Sequence, residues 1–279
     1  MDSFMPTGLT NSTPDQVIQV VVVMLFMYVL LSILNNAGML YNTWLEMNTV
    51  LQPDTSSSTD TFTQEPNLDT SKTCFLSRNE AGGTEFTYSV FLNFRNSNFS
   101  KEQNTLRHVF HKGSPPPDAY PLLAPGVFTV SDSNTLRVVM NSADKWDNYV
   151  DIPNIPVEKW FHLVIACKGR ALDVYINGNV IQRMTLTSVP KLNFGDVYAF
   201  QSLQNEDNRI GVAPEGRYTV NGKADGMLSR LNYYAYALSY AEIDSLYRQG
   251  PSSKIVSASN QVPPYMADAW WVQTYQGNH

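Results

Sequence analysis

No lysine or arginine occurs in the first 71 residues of this 279-residue chain; Lys72 is the first base. The same stretch holds Asp2, Asp15, Glu46, Asp54, Asp60, Glu65 and Asp69. The other 18 of the 25 acids and all 19 bases lie in residues 72–279, so the net charge of −6 belongs to the N-terminal region. A chain without a basic excess lacks the surface that nucleic acid requires, which excludes that partner class. Cysteine is scarce. Cys74 and Cys167 alone exclude a disulfide-stapled miniprotein and a Cys-rich zinc module. They could pair if their strands adjoin; two buried free thiols are the alternative. Charged residues make up only 16% against 43% hydrophobic, which excludes wholesale disorder. No G-x-S-x-G, phosphate-binding loop or dinucleotide fingerprint is present.

What is present first is a long apolar run. Residues 17–34 read VIQVVVVMLFMYVLLSIL, with only Gln19 and Ser32 polar and no charge. As a helix these residues cover about 27 Å, close to a bilayer core of about 30 Å. Residues 37–41 extend the run past Asn35 and Asn36, giving an expected span over 17–41 after an N-terminal tail, residues 1–16. Its apolar residues, with Val17, Val23, Phe26, Leu30 and Leu34 among those expected in the membrane, run all round the helix, so it is no one-sided surface helix. Pro14 and Asp15 mark its start, and Tyr41 and Trp44 suit the far interface. A core helix and a signal peptide are the competing readings. The latter lacks its basic leader here. Without flanking bases the positive-inside rule cannot orient the span.

Residues 42–71 read as a membrane-proximal segment and linker. QPDTSSSTDTFTQEP, residues 52–66, cannot build a core. Fully extended it reaches about 50 Å, enough to hold a domain off a membrane. The other reading is an irregular strand packed along the domain.

Residues 72–250 carry strand signals. In FTYSVFLNF, residues 86–94, Phe86, Tyr88, Val90, Leu92 and Phe94 share one face. LRVVM, residues 136–140, repeats the pattern with Leu136, Val138 and Met140 inward. WFHLVIAC, residues 160–167, is apolar on both faces and suits a sandwich interior. ALDVYI meets Asn177-Gly178, a hairpin signal, and VIQRMTL returns. Residues 226–236 form a late strand. Ser239 and Glu242 then make a capping box before an apolar stripe of Ile243, Leu246 and Tyr247, ended by Gly250 and Pro251. Many short strands at this spacing predict an all-β, two-sheet antiparallel jelly-roll sandwich behind one transmembrane helix.

The run EKWFHLVIACKGRALDVYINGNVI resembles a laminin-G-like domain of the concanavalin A-like lectin/glucanase superfamily. Trp160, His162, Tyr175, Asn177 and Gly178 follow that pattern in order. Gly226, Ala237-Leu238-Ser239, Glu242-Ile243 and Leu246-Tyr247 with Gly250 continue it. The resemblance covers residues 72–250 and implies the jelly-roll fold without fixing an activity. The pairing of such a domain with a membrane helix also looks like membrane-linked minor capsid proteins of large algal DNA viruses.

Glycosidase relatives would need two carboxylates on one face. Glu242-Ile-Asp244 is the sole E-x-D, and it lies in the capped helix, so no catalytic residue is expected. His108 and His111, three apart in a strand, are expected on opposite faces, unable to clamp one metal. Asp144, Asp147 and Asp151 cluster in one loop, either as calcium ligands or as a solvated acidic loop. Asn205 to Asn208 is a weaker version of the same. Trp146, Tyr149 and Tyr120 are candidate glycan platforms, with ordinary packing as the alternative. In the aromatic tail, residues 251–279, Trp270, Trp271 and Tyr275 either pack back on the domain or dock in a protein partner. Asn11 and Asn98 head glycosylation triplets. The whole reads as a membrane-anchored, non-catalytic tether joining a lipid bilayer to a protein assembly such as a capsid. A cell-surface or virion-surface lectin is the second reading.

Overall fold

The computed structural model describes residues 14–68, 71–76, 84–99, 105–116, 122–205 and 219–256. The chain divides into two compact units, Met1–Glu46 and Met47–His279. The first is built on one helix, α1 (Pro14–Met47). Its window Val20–Gly38 has a mean hydropathy of 2.2 and none of it is buried, so it is long and apolar enough to cross a membrane. Val23, Phe26, Leu30 and Leu34 are all exposed, which removes the core-helix alternative. The side chain of Val17 lies outside the described residues.

The second unit is a sandwich of two eight-stranded sheets, with strands numbered in chain order. The first sheet runs β11 (Asn179–Thr185), β10 (Ala171–Ile176), β9 (Phe161–Lys168), β4 (Glu85–Phe94), β15 (Gly226–Tyr234), β2 (Thr55–Ser56) and β16 (Ile255–Val256). β1 (Asn48–Gln52) also pairs with β15. The second runs β13 (Leu203–Asn205), β14 (Thr219–Lys223), β5 (Thr105–Gly113), β6 (Leu123–Val130), β7 (Thr135–Met140) and β8 (Asn148–Pro153). There β12 (Asp196–Ala199) joins β5 to β3 (Asp60–Phe62). Pairing is antiparallel except β14 on β5 and β16 on β2.

The alternation read in the sequence places the core. Phe86, Tyr88, Val90, Leu92 and Phe94 of β4 meet Leu136, Val138 and Met140 of β7 between the sheets. β9 is buried on both faces: Phe161, Leu163, Ile165 and Cys167 face that core. Val164 instead packs under α2 (Tyr240–Gln249) with Leu238 and Ile243. The α2 capping box forms as expected, with Ser239 Oγ accepting from the Glu242 amide and Glu242 accepting from the Ser239 amide. Asn177 (φ 51°) and Gly178 (φ 80°) close the β10–β11 hairpin in the left-handed region.

One expectation is corrected. Residues 52–66 are no free linker: β1, β2 and β3 fall within or beside them and pair in both sheets. Their polar side chains are satisfied inside the sandwich. Thr55 Oγ1 donates to Ser252 O at 2.7 Å, and Thr59 Oγ1 donates to Phe200 O at 2.9 Å. The sandwich therefore begins at Asn48, the residue after α1 ends.

Candidate functional site

The loop and strand expected to hold calcium or a glycan lie at the margin of the second sheet, and its acids go to separate partners. Asp144 Oδ1 accepts from Ser142 Oγ and Thr187 Oγ1, both at 2.8 Å. The Thr187 and Ser142 hydroxyls hold its carboxyl below the usual range. Asp147 pairs with Lys145 at 3.8 Å. Asp151 grips Arg137 with both oxygens, at 2.7 and 2.6 Å. Each carboxylate thus has its own local donor, and the structure does not bring the three together as ligands. Among the described residues no group of three His, Cys, Asp or Glu could hold a metal.

Arg137 is the largest fully buried side chain, at 1% exposure. Its guanidinium lies 4.2 Å from the Tyr149 ring centre. Planar delocalised charge suits both the bidentate carboxylate and the aromatic face. Trp146 and Tyr149 are partly buried against a second apolar cluster that includes Leu106, Phe128 and Val139. The two aromatics therefore share one patch with an ion pair, the combination of flat apolar surface and fixed polar groups that sugar recognition uses. Tyr120, Trp270, Trp271 and Tyr275 lie outside the described residues, as do Asn11 and residues 206–208. The Asn98 amide is fully buried, donating to Asp225 O and accepting from Asp225 N, so its triplet is closed to glycosylation.

The two strand histidines are together, not opposed. A register shift between His108 and Phe110 inserts an extra residue, and the simple two-residue alternation fails there. His108 Nε2 and His111 Nδ1 are 2.8 Å apart. The chemistry of the end groups fixes the protons. Ser114 O can only accept, so His111 Nε2 donates to it at 2.8 Å. His111 Nδ1 must then accept from His108 Nε2–H, and His108 Nδ1 accepts from the Gln201 amide at 3.0 Å. Every ring nitrogen is occupied, and the lone pairs a metal would need are taken. Burial, helped by the neighbouring His111, holds His108 well below the ordinary imidazole range. Burial lowers His111 to about 4.

His162, the histidine of the recognised strand motif, is fully buried between Phe91 and Tyr247. Its Nε2 is 2.8 Å from Ser89 Oγ, and its Nδ1 has no partner. An unpaired lone pair is less costly than an unpaired N–H, which favours the Nε2–H tautomer. Burial lowers it to about 4. The residue is structural, as its strand context suggests.

An open cleft enters between the sheets at one end. Phe86, Tyr88 and Met140 wall it, with Lys112 and Cys74 inside. Lys112 Nζ donates to Gly195 O at 2.6 Å and to Gln64 Oε1 at 3.2 Å. Burial lowers its pKa. The ammonium ties β5 to Gly195, beyond the end of β11 and just before β12. Sequence reading missed it, since a lone lysine in HKGS carries no pattern. Cys74 and Cys167 are both free and buried. Burial pushes them up to about 11 and about 12, away from reactive thiolate.

Glu242 and Asp244 stay within α2. Glu242 accepts from the Ser239 amide and from Tyr236 OH at 3.0 Å. Burial raises its pKa, but the hydrogen bonds from Ser239 and Tyr236 prevail and hold it below the usual range. Asp244 accepts from Arg248 at 2.7 Å. The only E-x-D pair is thus a helix cap and a helix-surface ion pair.

Two curved sheets around a shared core, a hairpin closed by Asn-Gly and a capped helix on one outer face define a lectin-like jelly-roll sandwich. The chain belongs to the concanavalin A-like lectin/glucanases superfamily, whose family model matches residues 68–244. A comparison with curated proteins returns no match. Some solved structures are similar over part of the chain. A ligand-binding domain of botulinum neurotoxin serotype D in complex with N-acetylneuraminic acid is 10% identical, with TM-score 0.42, covering 59% of this chain and 36% of that one. The receptor-binding domain of botulinum neurotoxin D is 11% identical, with TM-score 0.44, covering 71% and 43%. The binding domain of botulinum neurotoxin DC with rat synaptotagmin II is 14% identical, with TM-score 0.41, covering 61% and 37%. The match thus spans well under half of each of those chains.

Proposed function

We propose that the chain is a single-pass membrane protein whose sandwich is a non-catalytic tether to a protein assembly. The observation that carries this is α1, whose 19-residue apolar window is wholly exposed and whose last residue is followed at once by β1. An exposed helix of that hydropathy is unfavourable in water and favourable in lipid. The non-catalytic reading rests on the sole E-x-D pair being occupied as cap and ion pair, and on histidines whose nitrogens are buried. Nothing in the fold favours a capsid over another assembly, so the partner is proposed only as a protein assembly. The test is alkaline carbonate extraction of membranes from cells making the full chain. Retention in the membrane pellet is expected; release into the supernatant overturns the anchor.

A second reading, glycan binding, is favoured by the Trp146–Tyr149 patch over the Arg137–Asp151 pair. Selective binding on a glycan array that is lost in Trp146→Ala would establish it, and β-glucan hydrolysis by the purified protein would overturn the non-catalytic reading.

A further inference from the structure

The sandwich has one end with an unusual surface. After β11 the chain crosses from the first sheet to the second, and this crossing is firmly held. Leu186 N donates to Arg170 O at 2.8 Å, Lys191 N to Asn141 O at 3.1 Å, and Asn193 Nδ2 to Lys112 O at 2.7 Å. The Lys112 ammonium fixes Gly195 from below. From this anchored crossing three large apolar side chains face solvent: Val189 at 53%, Leu192 at 54% and Phe194 at 70% exposure. Leu76 lines the same cleft as Leu192, and Leu76 and Phe75 are exposed too. Scattered exposed apolar residues are ordinary, but a group of five on one held surface marks a contact. Lys168, Arg170 and Lys191 are exposed at the same end.

This is also the end at which the chain enters the sandwich. Asn48 pairs with Tyr234, which pairs with Thr87, two residues from Glu85 in the cleft. Thr49 Oγ1 donates to Thr73 O at 2.7 Å and Tyr233 OH donates to Phe75 O at 2.6 Å, so β1 and the Phe75–Leu76 segment are stitched together. Between Gly38, the last residue of the apolar window, and Asn48 lie only residues 39–47. As helix they give a path of about 14 Å. The polar layer of a bilayer is about 5–7 Å deep on each side. A lipid surface therefore lies within reach of this end, and its apolar and basic side chains match that surface's acyl boundary and phosphates.

We propose that the end of the sandwich bearing Phe75, Leu76, Val189, Leu192 and Phe194 rests in the headgroup layer of the bilayer that α1 crosses. This rests on the anchor reading. The test uses the full chain reconstituted in vesicles of phosphatidylcholine and phosphatidylglycerol that carry a nitroxide on the acyl chain. An environment-sensitive dye is placed at Phe194→Cys and, as a control, at Ser133→Cys in the β6–β7 turn at the opposite end. The native thiols are buried and stay unlabelled, and both positions are exposed, so folding is kept. Blue-shifted emission and nitroxide quenching at position 194, absent at 133, are expected. Equal, water-like emission at both positions in protein that resists carbonate extraction overturns this proposal alone, and so does a shielded position 194 that lipid nitroxide fails to quench. Protein stripped by carbonate overturns the anchor and this proposal together.

Discussion

Burial disfavours the charged form of His108, His111 and His162, and that couples stability to acid. Each has a folded-state pKa below the 6.5 of a free imidazole, to about 4 for His111 and His162. Between those values the unfolded chain binds protons that the folded chain refuses. Stability is therefore complete above about pH 6.5 and falls as the pH drops towards 4. For His111 and His162 the loss between pH 7.5 and 5 is on the order of 2 kcal/mol each. Melting of the detergent-solubilised chain across that range checks it; a flat melting temperature would contradict the neutral relay. At Arg137 a different balance holds. Removing its partner in Asp151→Ala leaves a guanidinium at 1% exposure without its bidentate acceptor, while the carboxylate side is 37% exposed. About 2 kcal/mol of destabilisation is expected by denaturant unfolding, below the roughly 3–5 kcal/mol of a fully buried pair because water reaches the aspartate.

Among the elements, α2 is held by its cap and α1 by its surroundings. Ser239→Ala removes the acceptor for the Glu242 amide and one half of the capping box. A loss of about 1 kcal/mol is expected in unfolding experiments. Leu30→Arg puts a charge near the middle of the apolar window, where insertion becomes less favourable by about 2.5–3.5 kcal/mol. The carbonate-resistant fraction of the variant should fall sharply, whereas Ser133→Ala in the sandwich should leave it unchanged. The strands show where reading by pattern ends. β4, β7 and β9 were legible because their side chains alternate or run apolar against a core they help define. β1, β2 and β3 were not, because short polar strands are specified by their neighbours' backbones, and Ser and Thr suit a turn equally well. The bulge at Val109 was hidden for the same reason: one inserted residue changes which face His111 takes without changing composition.

For the whole molecule, fold class and the helix were readable from sequence, and the candidate site only in part. Trp146 and Tyr149 do sit together, but Asp144, Asp147 and Asp151 are close in sequence and divided by their donors. The cleft and the exposed end of the sandwich required the tertiary structure, since residues near 75 and near 192 meet only through pairings of distant strands. Those pairings reach almost the full length of the domain. β1 near residue 50 lies on β15 near 232, and Thr55 of β2 meets Ile255 of β16. Truncation before Gly226 should therefore abolish protease resistance in the whole sandwich rather than trim it, because β1, β2 and β4 all lose a partner.

The same long-range closure sets an order of events during synthesis. In chain order α1 leaves the ribosome before the sandwich, and under the proposed anchor it can enter a membrane at once. The strands that follow it wait about 200 residues for their partners, roughly 10–40 s at ordinary rates of translation. Under the proposed anchor, the newborn chain is held at the membrane by α1 through that interval and open along two sheet edges, so chaperone protection is expected after targeting rather than before it.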